Sequence, residues 1–525
     1  MDITLFVGDP LTPGVASTAD ASRLSMEESP VIVRIPTLPI SYADAQVLLA
    51  NLSGPVVPKE WRGALPITYR AGPSEANVHL AVKSDWSRKT IYDVVAMLKG
   101  STKPESWVLR GNHRDGWVYG AADPLSGQVS LLEEARALGS LAKRGWKPQR
   151  TLVYLSWDAE EPGLMGSTEW VERHAAELKL KAALYINSDN NNRGFLSAGG
   201  NQDLEHLVNL VANNLTDPET NATVAQRLRA KMAVDAAASG AGEEVKINGK
   251  IALDPHRDFP IQALGSGSDY SAFLEHLGIT TLNIAYSGEG SSRGVYHSRY
   301  DTFDQFVRFG DPGLTYTALL AKTVGHLVIQ AADADIPLQR AGGFAAEVTR
   351  YLEAAKKLVS DQRNAVSTQA KMFAANAFIL AADPTKPAGG PAPLSDVPSI
   401  DLGPMEQAVQ RLSASAAAYD GAYEQNAATL APAVRKQLVE TMQSIDQTLA
   451  PSVGLPGRRW YKNLIYAPGR YTGYESKTLP GITEAIEEQR WADANTYSRL
   501  TADALNEYSA RLDQATRLLS PKTRQ

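Results

Sequence analysis

Two adjacent glutamates, Glu160 and Glu161, follow directly on the apolar run Thr151–Leu155, within Ser156-Trp-Asp-Ala-Glu-Glu-Pro-Gly163. Carboxylates held side by side repel, so burying both requires a compensating positive charge. A metal ion supplies one, with one glutamate as ligand and the other left free as a base. A solvated loop tolerates the same pair, and the spacing alone leaves both readings open. Other groups of the right chemistry occupy comparable places. His113 and Asp115 end the run that begins at Trp107, and Asp123 lies ten residues past His113. Asp189 follows the buried-strand pattern Ala183–Asn187, and His297 comes after the strand-like Thr281–Tyr286. In open α/β sheets the carboxyl ends of the strands are where ligands bind. Two imidazoles with several carboxylates suit zinc, and one shared carboxylate is able to bridge two ions.

Singly, each residue has a plainer reading. Asp123 before Pro124 is ordinary turn chemistry, and Asp189 before three asparagines opens a loop equally well. Their order and their common placement at strand ends are what tie them together.

The stretches Gly111-Asn-His-Arg-Asp-Gly-Trp-Val-Tyr-Gly-Ala-Ala-Asp-Pro-Leu-Ser-Gly127 and Ser156–Trp170 resemble the signature of the M28 metallopeptidases, in the branch of glutamate carboxypeptidase II and the transferrin receptor. Gly265-Ser-Gly-Ser-Asp-Tyr270, Tyr296-His-Ser298 and Leu479-Pro-Gly-Ile482 extend the resemblance over nearly the whole chain. It implies two zinc ions, one held by His113 and Asp189, the other by Glu161 and His297, with Asp123 bridging. Glu160 is then the general base that takes a proton from the attacking water and passes it to the leaving amine. Tyr296 matches the family tyrosine that hydrogen-bonds the developing oxyanion. Asp115 accepts a hydrogen bond from the far nitrogen of His113 and fixes its tautomer. Ser266, Gly267, Ser268, Asp269, Arg470 and Tyr474 fall at or near substrate-contacting positions, and Asp123-Pro124 is a candidate cis peptide. Thr12, Glu169 and Glu172 match positions that hold a structural calcium ion in relatives.

Specificity carries over less well. Gly199, Asn283 and Ala285 stand where glutamate-preferring relatives have an arginine cluster, and Gly473 replaces the lysine that grips the product carboxylate. Tyr474 beside it is kept, and Arg470 is a candidate substitute anchor. The expectation is a zinc exopeptidase of short peptides, carboxypeptidase-like by resemblance but not strictly glutamate-specific. An aminopeptidase of the same family is the alternative. A non-catalytic, receptor-like homologue would show broken ligand positions, and none is broken here.

The elements that position these groups follow from pattern. The 525 residues, 43% of them hydrophobic, are enough for a large core and more than one domain. A formal net charge of −6 leaves no footprint for nucleic acid, and no run approaches the apolar length of a membrane span. Without cysteine there is no disulfide scaffold, thiolate metal site or cysteine nucleophile. Residues 1–86 are rich in proline and read as the remnant of an apical domain, with Met1 as an internal methionine of a chain truncated at its N-terminus. For the full-length protein the resemblance implies an extracellular or periplasmic location. Residues 87–335 alternate strand-like runs with helical stretches such as Leu131–Lys143 and Leu204–Leu215, the pattern of a mostly parallel sheet flanked by helices. Asp217–Gly249 is polar and predicts a mobile helix and loop. Residues 336–525 read as helical, with amphipathic segments Phe344–Leu358, Met405–Tyr419, Pro432–Leu449 and Ile482–Leu512 around a Pro/Gly-rich loop, Asp383–Pro404. By resemblance this part is a dimerisation domain, implying a homodimer.

Overall fold

A computed structural model describes residues 3–289, 294–385 and 390–520. Met1 and residues 386–389 of the Asp383–Pro404 loop lie outside the described residues. The chain divides into two compact units, Pro30–Thr90 and a larger one of Ile3–Ser29 with Ile91 onward. The proline-rich N-terminal stretch is therefore split. Residues 3–29 belong with the larger unit, where Gly8 N–H donates to Gly163 O at 2.8 Å. In the smaller unit the helix Tyr42–Ala50, capped by a reciprocal Ser41–Asp44 pair, buries none of its residues.

The larger unit is built on a six-stranded sheet. Its strands are β1 (Val94–Leu98), β2 (Lys103–His113), β3 (Arg150–Trp157), β4 (Ala182–Asn187), β5 (Gly194–Gly200) and β6 (Thr281–Gly288), in spatial order β1-β3-β2-β4-β6-β5. The four central strands are parallel and the two edge strands antiparallel. Strands covered on both faces read as continuous apolar runs, and every residue of β3 is buried. Helices Leu125–Lys143 and Thr315–Asp333 complete a core with Val108, Leu152, Leu184, Leu282, Leu131, Leu138, Leu320 and Val324. Register decides where the chemistry goes. His113 pairs with Trp157, and Gly111 pairs with both Leu155 and Asn187, so β2, β3 and β4 end at one edge.

A buried ion pair sits just under that edge. Arg110 Nε donates to Glu134 Oε2 at 3.1 Å, with both side chains 1% exposed, while Tyr154 donates to Glu134 Oε1 at 2.7 Å. Arg110 Nη2 also donates to Ser188 Oγ, the residue before Asp189.

The polar segment after Asp217 forms two helices, Val224–Ala237 and Glu243–Ala252, the first capped by a Thr223–Gln226 box. Beyond Ile336 the chain is largely helical, with helices Ala341–Ala374, Gly403–Asn426, Pro432–Gln443, Pro480–Glu487 and Trp491–Leu519. Met405, Leu412, Tyr419, Leu505, Tyr508 and Leu512 are buried among them. Two expected segments differ. The Pro432 helix stops at Gln443 and is followed by a separate 3₁₀ segment, Ile445–Leu449. The Ile482–Leu512 segment is two helices, because Gln489 adopts a left-handed φ of 58° that interrupts the ladder. Arg490 seals that break, its Nε donating to Glu488 at 2.9 Å. No helix among the described residues is long and apolar enough to cross a membrane.

Candidate metal centre and active site

Five of the residues singled out by type and spacing converge where β2, β3 and β4 end. His113 is the last residue of β2 and is 1% exposed. Its Nε2 lies 3.1 Å from Asp189 Oδ1, 3.6 Å from Asp123 Oδ1 and 3.8 Å from Glu160 Oε2. His297 Nε2 lies 3.1 Å from both Asp123 Oδ2 and Glu161 Oε2. Two triads result, His113–Asp123–Asp189 and Asp123–Glu161–His297, and Asp123 offers one oxygen to each. Glu160, 7% exposed, stands beside the first triad without belonging to either.

Local folding fixes each group. Asp115 accepts from Glu160 N–H at 3.0 Å and Glu161 N–H at 3.2 Å, while its Oδ1 is 3.4 Å from His113 Nδ1. One carboxylate therefore aims a histidine and both glutamates. The Asp123-Pro124 bond is cis. Asp301 accepts from the N–H groups of Ala122 at 2.7 Å and Asp123 at 3.0 Å. His297 holds a left-handed φ of 54°, a conformation that costs about 1–3 kcal/mol and concentrates at functional sites. Asp301 escaped the sequence reading, since it follows no strand; its place four residues past His297 was the available signal.

Electrostatics test whether this donor set fits a metal. Burial pushes the Glu161 carboxyl up to about 8, reinforced by Asp123. Burial also raises Asp123 to about 6 and Glu160 well above its ordinary range. Among the described residues no Lys or Arg forms an ion pair with Asp115, Asp123, Glu160, Glu161 or Asp189. Carboxylates gathered without a Lys or Arg partner, with two imidazoles among them, fit divalent ions that take N and O ligands.

Gly127 shows how closely the site is packed. A Cβ there would sit 1.9 Å from Asp189 O and 2.3 Å from Asn112 Oδ1. Gly127→Ala is expected to displace the Asp189 loop and weaken metal binding by about 10–100-fold, as supporting-residue changes do. Titration calorimetry with zinc reads this directly, and wild-type affinity would refute it.

The remaining assigned residues fall into three groups. Tyr296 stacks on His297 with ring centroids 3.7 Å apart, and its hydroxyl donates to Tyr474 at 3.4 Å. Tyr474 in turn lies on Gly267, where a Cβ would come within 2.5 Å of the ring, and its carbonyl accepts from Ser266 N–H at 3.2 Å. Ser268 accepts from Asn187 Nδ2 at 2.9 Å, and Asp269 is fully buried, so both side chains face protein. Arg470 is turned to Glu488, with Nη1 3.3 Å from Oε2. On the helix Met165–Arg173, Glu169 accepts from Asp9 N–H at 2.6 Å and Glu172 from Trp460 Nε1 at 2.8 Å. Burial raises them to about 7 and about 8. Thr12 Oγ1 and Glu172 Oε2 are buried without a hydrogen-bond partner.

Comparison with known proteins identifies two families that the chain matches. Residues 93–310 match the model of peptidase family M28, and residues 400–513 match the transferrin receptor-like dimerisation domain. The chain is 32% identical over 489 residues to the probable glutamate carboxypeptidase LAMP1 of Arabidopsis thaliana, covering 92% of this chain and 61% of that protein. It is 27% identical over 541 residues to the aminopeptidase NAALADL1 of Mus musculus, covering 97% and 65%. A zinc aminopeptidase from Bacillus subtilis matches at 17% identity and a TM-score of 0.30, over 46% of this chain and 50% of that one. The chain thus spans about three fifths of the length of the curated relatives it matches. The chain thus carries a peptidase family M28 domain followed by a transferrin receptor-like dimerisation domain.

Proposed function

We propose that the chain is a dinuclear zinc exopeptidase that hydrolyses peptide bonds of short peptides. The observation that carries this reading is the sharing of Asp123 between two histidine-bearing triads. His113, Asp189 and Asp123 would hold one ion, and Glu161, His297 and Asp123 the other. When bound, the ions lower the pKa of water and polarise the scissile carbonyl.

The chain's own residues do the rest. Glu160 takes the proton of the attacking water, and its burial, which raises its proton affinity, supports that role. Asp115, through the two amide bonds it accepts, keeps the Glu160 carboxyl over the cleft. Glu160 then returns the proton to the departing amine. The Tyr296 hydroxyl is the donor for the oxyanion, a role worth about 2.7–4 kcal/mol in comparable sites.

Strict glutamate specificity is disfavoured in this reading. Gly199, Asn283 and Ala285 carry no charge, and Arg470 is engaged by Glu488. The names of the relatives span both carboxypeptidase and aminopeptidase activity. The buried, unpartnered oxygens of Thr12 and Glu172 support one structural calcium ion. The dimerisation-domain match supports a homodimer. Mass spectrometry of a mixed short-peptide pool incubated with protein and zinc tests the activity. Trimming from one end is expected, and cleavage at internal bonds alone would contradict an exopeptidase.

A further inference from the structure

The loop Gly116–Gly120 lies between His113 and Asp123, two proposed metal ligands, and carries Trp117, Val118 and Tyr119, each more than half exposed. Its backbone is tied at both ends. Trp117 N–H donates to Glu161 Oε1 at 3.1 Å, Leu125 N–H to Gly120 O at 3.0 Å, and Ala121 N–H to Asp301 O at 3.2 Å. Anchoring of this kind stops the loop folding away and holds apolar surface in water, which is unfavourable unless something covers it.

The rings surround one proposed ligand. Trp117 meets His297 edge-on with centroids 6.1 Å apart, Tyr296 stacks on His297, and the Tyr296 hydroxyl reaches Tyr474. Trp117, Tyr296 and Tyr474 are 57%, 51% and 54% exposed. The groups beside them include the carboxylates of Asp123 and Glu161, and two arginines near the site are engaged elsewhere. Arg114 donates to Ser156 O and pairs with Asp158, and Arg470 pairs with Glu488. A wall of aromatic faces receives apolar side chains better than acidic ones.

We propose that Trp117, together with Tyr296 and Tyr474, forms the wall that accepts an apolar or aromatic side chain adjoining the scissile bond, and that Trp117 sets this specificity. The inference rests on the peptidase reading above and names its substrate class.

The test compares kcat/KM of the zinc-loaded protein on short peptides that differ only beside the cleaved bond, with Phe, Leu, Ala or Glu there. Phe and Leu are expected to exceed Glu by about tenfold or more. Trp117→Ala should shrink the Phe-to-Ala ratio by about tenfold, while Trp117→Phe, which keeps a ring, should retain most of it. A ratio is insensitive to the fraction of misfolded protein. Preference for Glu in the wild type, or an unchanged ratio in Trp117→Ala, would overturn the proposal. So would a Trp117→Ala variant whose ratio is unchanged while its self-association or solubility alters, since the strip would then cover another protein surface. Failure of zinc-loaded wild type to cleave any of the peptides would instead remove the peptidase reading itself, and this inference with it.

Discussion

Glu160→Gln is expected to lower kcat by about 10²–10⁴-fold, the usual contribution of a positioned general base. The amide keeps the shape of the side chain but cannot take up a proton. Glu160 lies outside both triads, 3.8 Å from His113 Nε2, so zinc content should stay at the wild-type level. KM should change little, because the group acts on the attacking water and the leaving amine rather than on bound substrate. Glu161→Gln provides the contrast. Its Oε2 is 3.1 Å from His297 Nε2 within a triad, so that variant should lose metal along with activity. Hydrolysis by Glu160→Gln within about threefold of wild type, with zinc retained, would show that another group is the base.

The second large effect concerns stability. Glu134→Ala strands the Arg110 guanidinium and the Tyr154 hydroxyl in a site where both ion-pair side chains are 1% exposed. Breaking one side of a buried pair costs about 3–5 kcal/mol, because an uncompensated charge stays behind. The damage should reach the site, since the same guanidinium bonds Ser188, one residue before Asp189. Replacing both partners with apolar residues, as in Arg110→Met with Glu134→Leu, should recover part of the loss, because no charge is then left buried. Denaturant unfolding of the three proteins measures this. A single variant as stable as wild type would mean that water or a rearranged partner satisfies Arg110.

Much of this site was legible in the residues because each proposed ligand stands near the end of a run that had to be a buried strand. His113 closes β2, the Glu160–Glu161 pair follows β3, and Asp189 follows β4. A parallel sheet sends those ends to one edge, so pattern alone brought the three together. The supporting residues were less legible. Asp301 acts through the backbone of Ala122 and Asp123, the latter 178 residues away in the chain, and its nearness to His297 is the only sequence signal for that contact. Arg110 lies in a strand-like run and Glu134 in a helical one, and neither pattern marks the ion pair that packing buries. The break at Gln489 is carried by neither Gly nor Pro, so the apolar periodicity runs through it unmarked. Proline, finally, occurs on both sides of residue 30, so composition does not mark that residues 3–29 belong to the sheet-bearing unit and residues 30–90 to the smaller one.

The proposed hydrolysis requires two ions, held by the two triads that share Asp123. The most direct test titrates chelator-stripped protein with zinc while following bound metal and peptide hydrolysis together. The stripped protein should be inactive, and activity should return as binding saturates at two ions per chain. Hydrolysis that persists undiminished after complete removal of metal would contradict the account.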